Sequence, residues 1–582
     1  MLDKIDSEIK TVLKDKFGIT NISNPFGWAS HSQESMCDAT STVALSIWRR
    51  TEVQTLSNEN NWQNPVDLAG YLGEYLKENL EIMKMIELIE VVTPGYINIK
   101  FNKFYWWEKM NEWENTNIKL IEEKLVGQKI MIEYGHPNTH KEMHVGHLRT
   151  LVTGESLAKL AEALGGNVIR ANYQGDIGPH VAKALYGVRH LIDSQNFRLD
   201  EIESRSLVDK AKFLGEAYVL GNQEYENNKE EISNINTQLY NRDENIFPLY
   251  LQTRSWSLDY FKSIYDRLGT KYDKLYFETN VADKGKEIVL ENIGDIFEVN
   301  QGATIFKGEK YGLHTRVFIT SAGTPTYEAK EMALAIQQYD DYKFDLNLHV
   351  VANEQTEYFK VVFKALELLN DDIAKRENHI AMGMVNLVGM KISSRTGVIV
   401  TVNQLLDLIK EAVDELLSSG DSNDNDNIAE ALTQGALKFA MLKQSTNMSI
   451  ALDVKQSVSL LGFTGPYLQY TYARCKSLLD KSEINRETKL EMVDLADEEK
   501  ALLFWLNQYA SAIYKSWSDF SLHHLCEYLH ELAQRFNLLY NNLPILNSDI
   551  NNKNLRLMLT KETSKRLSKG LGILGIEVLE RL

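Results

Sequence analysis

Three cysteines in 582 residues, Cys37, Cys475 and Cys526, are too few and too far apart for a disulfide framework and imply a reducing compartment. Prolines number only nine, which suits a helix-rich protein. No apolar run approaches the roughly 18 residues that a membrane span needs. The start, Met1-Leu-Asp-Lys-Ile-Asp-Ser-Glu8, does not have the shape of a signal peptide. A membrane partner is therefore not expected, and the cytoplasm is the expected location. An excess of positive charge is absent too: the net charge of −18 argues against a general nucleic-acid binder. Local basic patches still operate on an acidic body, so a structured RNA stays open as a partner. With 43% apolar residues, the chain can build roughly three or four domains with real cores.

The most informative stretch is Pro137-Asn-Thr-His-Lys-Glu-Met-His144-Val-Gly146-His147-Leu-Arg149. A strand-like run, Lys129-Ile-Met-Ile-Glu-Tyr134, precedes it. A helical pattern follows, with Val145, Leu148, Val152, Leu160 and Leu164 on one side, closed by Gly165-Gly166. Val168 to Tyr173 reads as a second strand, so a right-handed crossover begins a doubly wound sheet. His144 and His147 then sit at the positive end of a helix, where imidazoles donate to phosphate oxygens and Gly146 lets a base approach the backbone. A His-x-x-His pair is also half of a zinc site, but no second His/Cys cluster accompanies it, so zinc is not expected. The stretch reads as a nucleotide site.

A second segment, Gly389-Met-Lys391-Ile-Ser393-Ser394-Arg395-Thr-Gly397, follows the strand-like run from His379 to Leu387. A short loop of cations and hydroxyls between glycines can fold over a triphosphate. Together the two motifs resemble the HIGH and KMSKS signatures of class I aminoacyl-tRNA synthetases, and the closer resemblance is to the arginyl-tRNA synthetases. Gly175-Asp-Ile-Gly178, Gly323-Thr-Pro-Thr-Tyr327, Gly465-Pro-Tyr-Leu-Gln-Tyr-Thr-Tyr-Ala-Arg474, Pro94-Gly-Tyr-Ile-Asn-Ile99 and the closing Leu574 to Leu582 also look like that family.

The expected architecture is multidomain, α/β plus all-α. Residues 1–115 form a small α/β unit, whose Phe104-Tyr-Trp-Trp107 is assigned to core or domain contact. A Rossmann-like catalytic domain spans 116–400, with a charged helical insertion at about 190–275. A connecting helical segment spans 401–450 and contains a flexible loop at 419–427, rich in Ser, Asn and Asp. A helical domain spans 451–582.

Glu133 lies near the carboxyl end of an apolar strand, where such sheets bind ligands, and a buried carboxylate there needs a cation from protein or substrate. Tyr327 and Glu331, four apart, share a helix face behind Pro325. The resemblance implies arginine recognition by Glu133, Asn138, Tyr327, Glu331 and Gln355, although the family usually carries aspartate where this chain has Glu331. It also implies ATP as substrate, with Mg²⁺, held by His144, Gly146, His147, the Met384-Val385 backbone, Lys391, Ser393, Ser394 and Arg395. Arginyl-adenylate forms first, and the arginyl group then passes to tRNA. The N-terminal domain touches the tRNA elbow, though Ser35 to Thr40 departs from the family's usual version. The C-terminal bundle reads the anticodon, with Tyr467, Tyr470, Arg474 and Lys565 suitable in type. Tyr472 is assigned to the core with Leu468 and Cys475. A monomer is expected.

One departure has a chemical consequence. The usual KMSKS loop has a second lysine where this chain has Ser394, so another cation must serve the α-phosphate. Lys141, three residues before His144, is the candidate, as the resemblance also implies for members that lack the loop lysine. A non-catalytic tRNA-binding relative or a regulatory nucleotide-binding protein that kept the fold, and another class I specificity, remain the alternatives.

Overall fold

The computed structural model describes residues 2–22, 26–28, 37–114, 119–195, 197–389, 400–417, 425–482 and 492–581. The chain divides into two compact units: Met1–Leu120 with Leu478–Ala510 and Glu531–Ser564, and Ile121–Ser477 with Ser511–His530 and Lys565–Leu582. The helices after Leu478 are thus shared between the units, and the single C-terminal boundary expected at 451 has no counterpart in this division.

In the first unit, strands Phe26–Trp28, Ala39–Ser41, Tyr96–Phe101 and Ile86–Val92 form an antiparallel sheet in that spatial order. Tyr105 and Trp106 are buried beneath it, and the Tyr105 ring lies 4.1 Å from that of Phe101. Phe104, in contrast, is exposed.

The second unit is built on five parallel strands: β1 (Lys129–Tyr134), β2 (Asn167–Gln174), β3 (Lys274–Phe277), β4 (Leu346–Ala352) and β5 (Glu377–Met382), in the order β5-β4-β1-β2-β3. The chain winds outward from β1 in both directions, so the crevice lies at the carboxyl ends of β1 and β4. Helix α1 (Val145–Ala163) makes the β1–β2 crossover. It is buried on almost every side rather than on the single face the periodicity predicts, and Arg149 and Glu155 are among its buried residues. Gly154 allows this: a Cβ there would lie 2.2 Å from the Tyr134 ring.

Helices between Pro179 and Leu268 separate β2 from β3, so the insertion starts about a helix earlier than the charge pattern predicts. Helix α2 (Phe247–Leu268) is pinned by Asp176, which accepts from Arg254 Nε at 2.8 Å and Tyr250 Oη at 3.1 Å, and also from Thr279 Oγ1 at 2.8 Å. Helices α3 (Tyr327–Tyr342) and α4 (Thr356–Leu369) cover the sheet face carrying Glu133, with Met332, Phe359 and Val362 in the shared core.

The run 379–387 is two strands, not one. It breaks at Gly383, where a Cβ would lie 2.3 Å from the Met448 carbonyl oxygen, and Val385–Leu387 pairs in parallel with Ile450–Leu452. The expected flexible loop at 419–427 is already helical from Asn425; residues 418–424 lie outside the described residues. Near the chain end, Ser156 Oγ donates to the Leu574 carbonyl at 3.3 Å, Lys438 Nζ to Gly575 at 2.7 Å and Gln469 Nε2 to Glu577 at 2.8 Å. Among the described residues no helix is long and apolar enough to cross a membrane.

Candidate active site

One end of the crevice starts at the first turn of α1. Gly146 N–H donates to His144 Nδ1 at 3.1 Å, and His144 N–H donates to His147 Nδ1 at 3.3 Å. Each imidazole spends its Nδ1 lone pair on a backbone donor, so Nε2 carries the proton. The rings lie tilted by 37° with centroids 3.9 Å apart. Burial, joined by the charge of Lys141, holds both histidines below the ordinary imidazole range. They are neutral Nε2–H donors at the positive end of a helix, which is what a phosphate requires.

Lys141 stands beside them, with its Nζ 4.0 Å from the centroid of the Tyr218 ring. The loop with Lys391, Ser393, Ser394 and Arg395 lies outside the described residues, but its exit is anchored here: Val402 N–H donates to the Met143 carbonyl at 2.9 Å and Thr401 bridges His144. Arg149, one turn further along α1, holds the approach to that loop. Its Nη1 donates to the carbonyls of Gly383 at 2.5 Å and Met448 at 2.7 Å, and its Nη2 to Ser445 at 3.1 Å. The Met384 side chain is exposed, and its carbonyl accepts from Ile450 N–H at 2.8 Å. Val385 is buried.

The second end of the crevice is acidic. Glu133 is 1% exposed, and its cation comes from the protein: Oε1 lies 3.1 Å from His349 Nδ1 and 3.8 Å from His136 Nδ1. Gln338 donates to Oε2. Burial opposes the charge on Glu133, yet the His349 imidazolium holds it below the ordinary carboxylate range. His349 in turn reaches Glu377 Oε2 through Nε2 at 2.6 Å, and burial notwithstanding, the two carboxylates hold it well above the imidazole range.

Glu331 is situated differently. It is 7% exposed and accepts from Tyr358 Oη at 3.4 Å. The neighbouring Lys330 does not neutralise it, because Lys330 Nζ is given to Glu278 at 2.7 Å in a buried pair. Burial and the charge of Glu133 push Glu331 up to about 8. It is a dry carboxyl group with no ion-pair partner of its own among the described residues, opposite one that is hydrogen-bonded to His349.

The structure therefore brings Glu133 and Glu331 together, with ligand atoms of both and of His349 within 4.8 Å. The cluster does not fit a metal, since both His349 nitrogens are committed to carboxylates and the ring is cationic. Tyr327 opens α3 and is half exposed, Asn138 bridges Gly175 at the edge of the crevice, and Gln355 is exposed just beyond β4. His349, Glu377, Gln338 and Arg149 are the site residues that pattern reading misses; the signal for the first was a histidine inside the apolar run Leu346-Asn-Leu-His-Val-Val-Ala352.

Among the residues suited to RNA, Arg474 Nη2 donates to Tyr470 Oη at 2.9 Å and Tyr467 lies 5.5 Å from the His530 ring. Tyr472, Leu468 and Cys475 are buried, and Lys565 is half-buried. Arg566, its neighbour in the same helix, is 2% exposed and is not part of a basic surface.

Residues 115–450 match the family described as tRNA synthetases class I (R), catalytic domain, and 468–582 match the DALR anticodon binding domain. The arginine–tRNA ligase of Bdellovibrio bacteriovorus is 30% identical over 513 residues, covering 84% of this chain and 86% of that protein. That of Bacteroides fragilis is 28% identical over 559 residues, covering 89% and 91%. In fold, the arginyl-tRNA synthetase structure from Thermus thermophilus aligns with a TM-score of 0.82 at 23% identity, covering 100% of both chains. The Plasmodium falciparum structure gives 0.80 at 20%, covering 100% of this chain and 99% of that one. With the signature histidines, the acidic pocket and these matches in hand, the chain belongs to the class I arginyl-tRNA synthetases.

Proposed function

We propose that the protein activates L-arginine with ATP and transfers it to the terminal adenosine of its tRNA, releasing AMP and pyrophosphate. The observation that carries this reading is the two-ended crevice: neutral Nε2–H donors at His144 and His147 on one side, and the buried carboxyl groups Glu133 and Glu331 on the other. A guanidinium with planar, paired donors fits the acidic end. Its α-carboxylate then lies toward the histidines and attacks the α-phosphorus of ATP in line. The protein positions reactants and stabilises charge on the phosphates. His144 and His147 donate to those oxygens, Lys141 supplies the cation that Ser394 does not, and Lys391, Ser393, Ser394 and Arg395 close over the triphosphate. Mg²⁺ arrives with the nucleotide; the cluster of Glu133, Glu331 and His349 is not its site. Glu331, Tyr327, Asn138 and Gln355 meet the substrate directly, and Glu133 does so from a position fixed by His349. The helices of 468–582 hold anticodon-loop bases by stacking and edge contacts, with Tyr467, Tyr470, Arg474 and Lys565 as candidates. The protein works as a monomer in the cytoplasm.

The test is aminoacylation of total tRNA with each amino acid in turn. ATP-dependent charging with arginine alone is the expected result. Charging with another amino acid, or none, overturns the reading.

A further inference from the structure

The acidic end holds more carboxyl groups than a guanidinium needs. Glu133, Glu331 and Glu377 are three buried carboxyl groups on neighbouring elements, and His349 is the cation between two of them. Strand register produces the arrangement: on adjacent parallel strands Glu133 pairs with His349, and His349 with His379, so all three project to the face covered by α3 and α4. The His349 ring lies 5.3 Å from Phe359 and 5.7 Å from Phe363 and is 2% exposed. Packing alone would be served by an apolar residue at that position. A cation hydrogen-bonded at both ring nitrogens in a dry site is expensive to keep without a use.

We propose that His349, with Glu377 behind it, is the positioning residue of the arginine pocket: it fixes the Glu133 carboxylate in one orientation and keeps it charged for the guanidinium. The proposal rests on the synthetase reading above and adds its specificity device. The chain of contacts runs Glu377 to His349 to Glu133, and Gln338 holds the second Glu133 oxygen while accepting from Asn347 Nδ2 at 3.1 Å. Each Glu133 oxygen is thus held from the protein side before substrate arrives, which is preorganisation of a charge-assisted contact. If the imidazolium is removed, three carboxyl groups share one dry space. A proton on Glu133 then relieves its repulsion with Glu377, and the guanidinium loses its charged partner.

The experiment measures steady-state aminoacylation by the full chain, varying arginine and ATP separately. His349→Leu is expected to raise KM for arginine about 10-fold or more, as removal of a partner that orients a ligand-binding group does, with KM for ATP within about twofold. The double variant His349→Leu/Glu377→Leu removes the cation and the spare carboxyl group together, and its KM for arginine is expected to return part of the way. A merely structural histidine predicts the opposite order, because two core changes damage the fold more than one. If His349→Leu is insoluble, His349→Gln, which keeps one donor and no charge, replaces it with the same expected rise. An unchanged KM for arginine, or a double variant no better than the single, overturns the proposal while the synthetase reading stands. Failure of the unaltered protein to charge tRNA with arginine overturns both.

Discussion

Arginine binding should expel a proton, and Glu331 is its source. In the empty pocket burial and Glu133 push this carboxyl group up to about 8, so it is mostly protonated at neutral pH. A bound guanidinium supplies the missing cation and its donors, and the acid ionises. The complex then holds one proton fewer than the free protein, so raising the pH strengthens binding until Glu331 is already ionised. Apparent affinity is reduced by the factor 1 + 10^(8−pH), which is roughly 100 at pH 6, about 11 at pH 7 and about 2 at pH 8. Calorimetric titration of arginine in two buffers of different ionisation enthalpy should show about 0.9 proton released at pH 7, falling to about half at pH 8. Among the other pocket groups, burial keeps His136, His144 and His147 neutral and the carboxylates keep His349 charged; Glu278, pushed up to about 7 by burial, and Glu377, also raised by burial, are the groups whose share the Glu331→Gln variant separates. Stability follows the matching sign. Glu331 is raised in the folded state, so its contribution is full below its ordinary value of 4.5 and is lost as pH rises through about 8. The unliganded melting temperature should therefore decline over that range while the increment from arginine grows. Glu331→Gln should bind weakly and without this pH dependence. A dissociation constant for arginine that stays flat from pH 6.5 to 8.5, with no proton released, would refute the reasoning.

Glu133→Gln removes the charge that His349 and the substrate share, and should weaken arginine use by about 2–5 kcal/mol with ATP binding unchanged, read from separate KM values; equal losses for both substrates would mark a folding defect. Lys141→Ala should lower arginine activation about 100-fold or more in pyrophosphate exchange with tRNA present, with partial rescue by Ser394→Lys; full activity would remove Lys141 from the mechanism. Arg149→Met leaves three carbonyls without their donor and should cost about 3 kcal/mol or more in urea unfolding. It should also raise KM for ATP, since Gly383 lies on the approach to the phosphate loop.

The parts of the site legible in the sequence are those that lie close together along the chain. Strand, turn and helix from Lys129 to Ala163 follow one another, and His144, Gly146 and His147 sit within that unit. The pocket acids were readable as types: Glu133 by its place on an apolar strand, Glu331 by its spacing from Tyr327. Their difference in charge state was not readable, because it depends on His349, 216 residues from Glu133, and strand register alone brings them together. The broken strand at Gly383 was hidden for the same reason, since its cause is the Met448 carbonyl and a guanidinium from α1. Periodicity also misjudged α1. A helix wrapped by the sheet on one side and by C-terminal helices on another presents several apolar faces, and no single stripe describes it.

The hydrogen bond from Ser156 to the Leu574 carbonyl joins residues 418 positions apart, and Lys438 and Gln469 hold the same terminal stretch. On the ribosome, the helix that follows His144 emerges long before the segment that covers this edge, so the catalytic unit finishes folding only once residues 574–577 have been made. A nascent chain that stalls short of Leu574 leaves that helix edge bare to chaperones and proteases, and an incomplete chain is denied a finished catalytic unit.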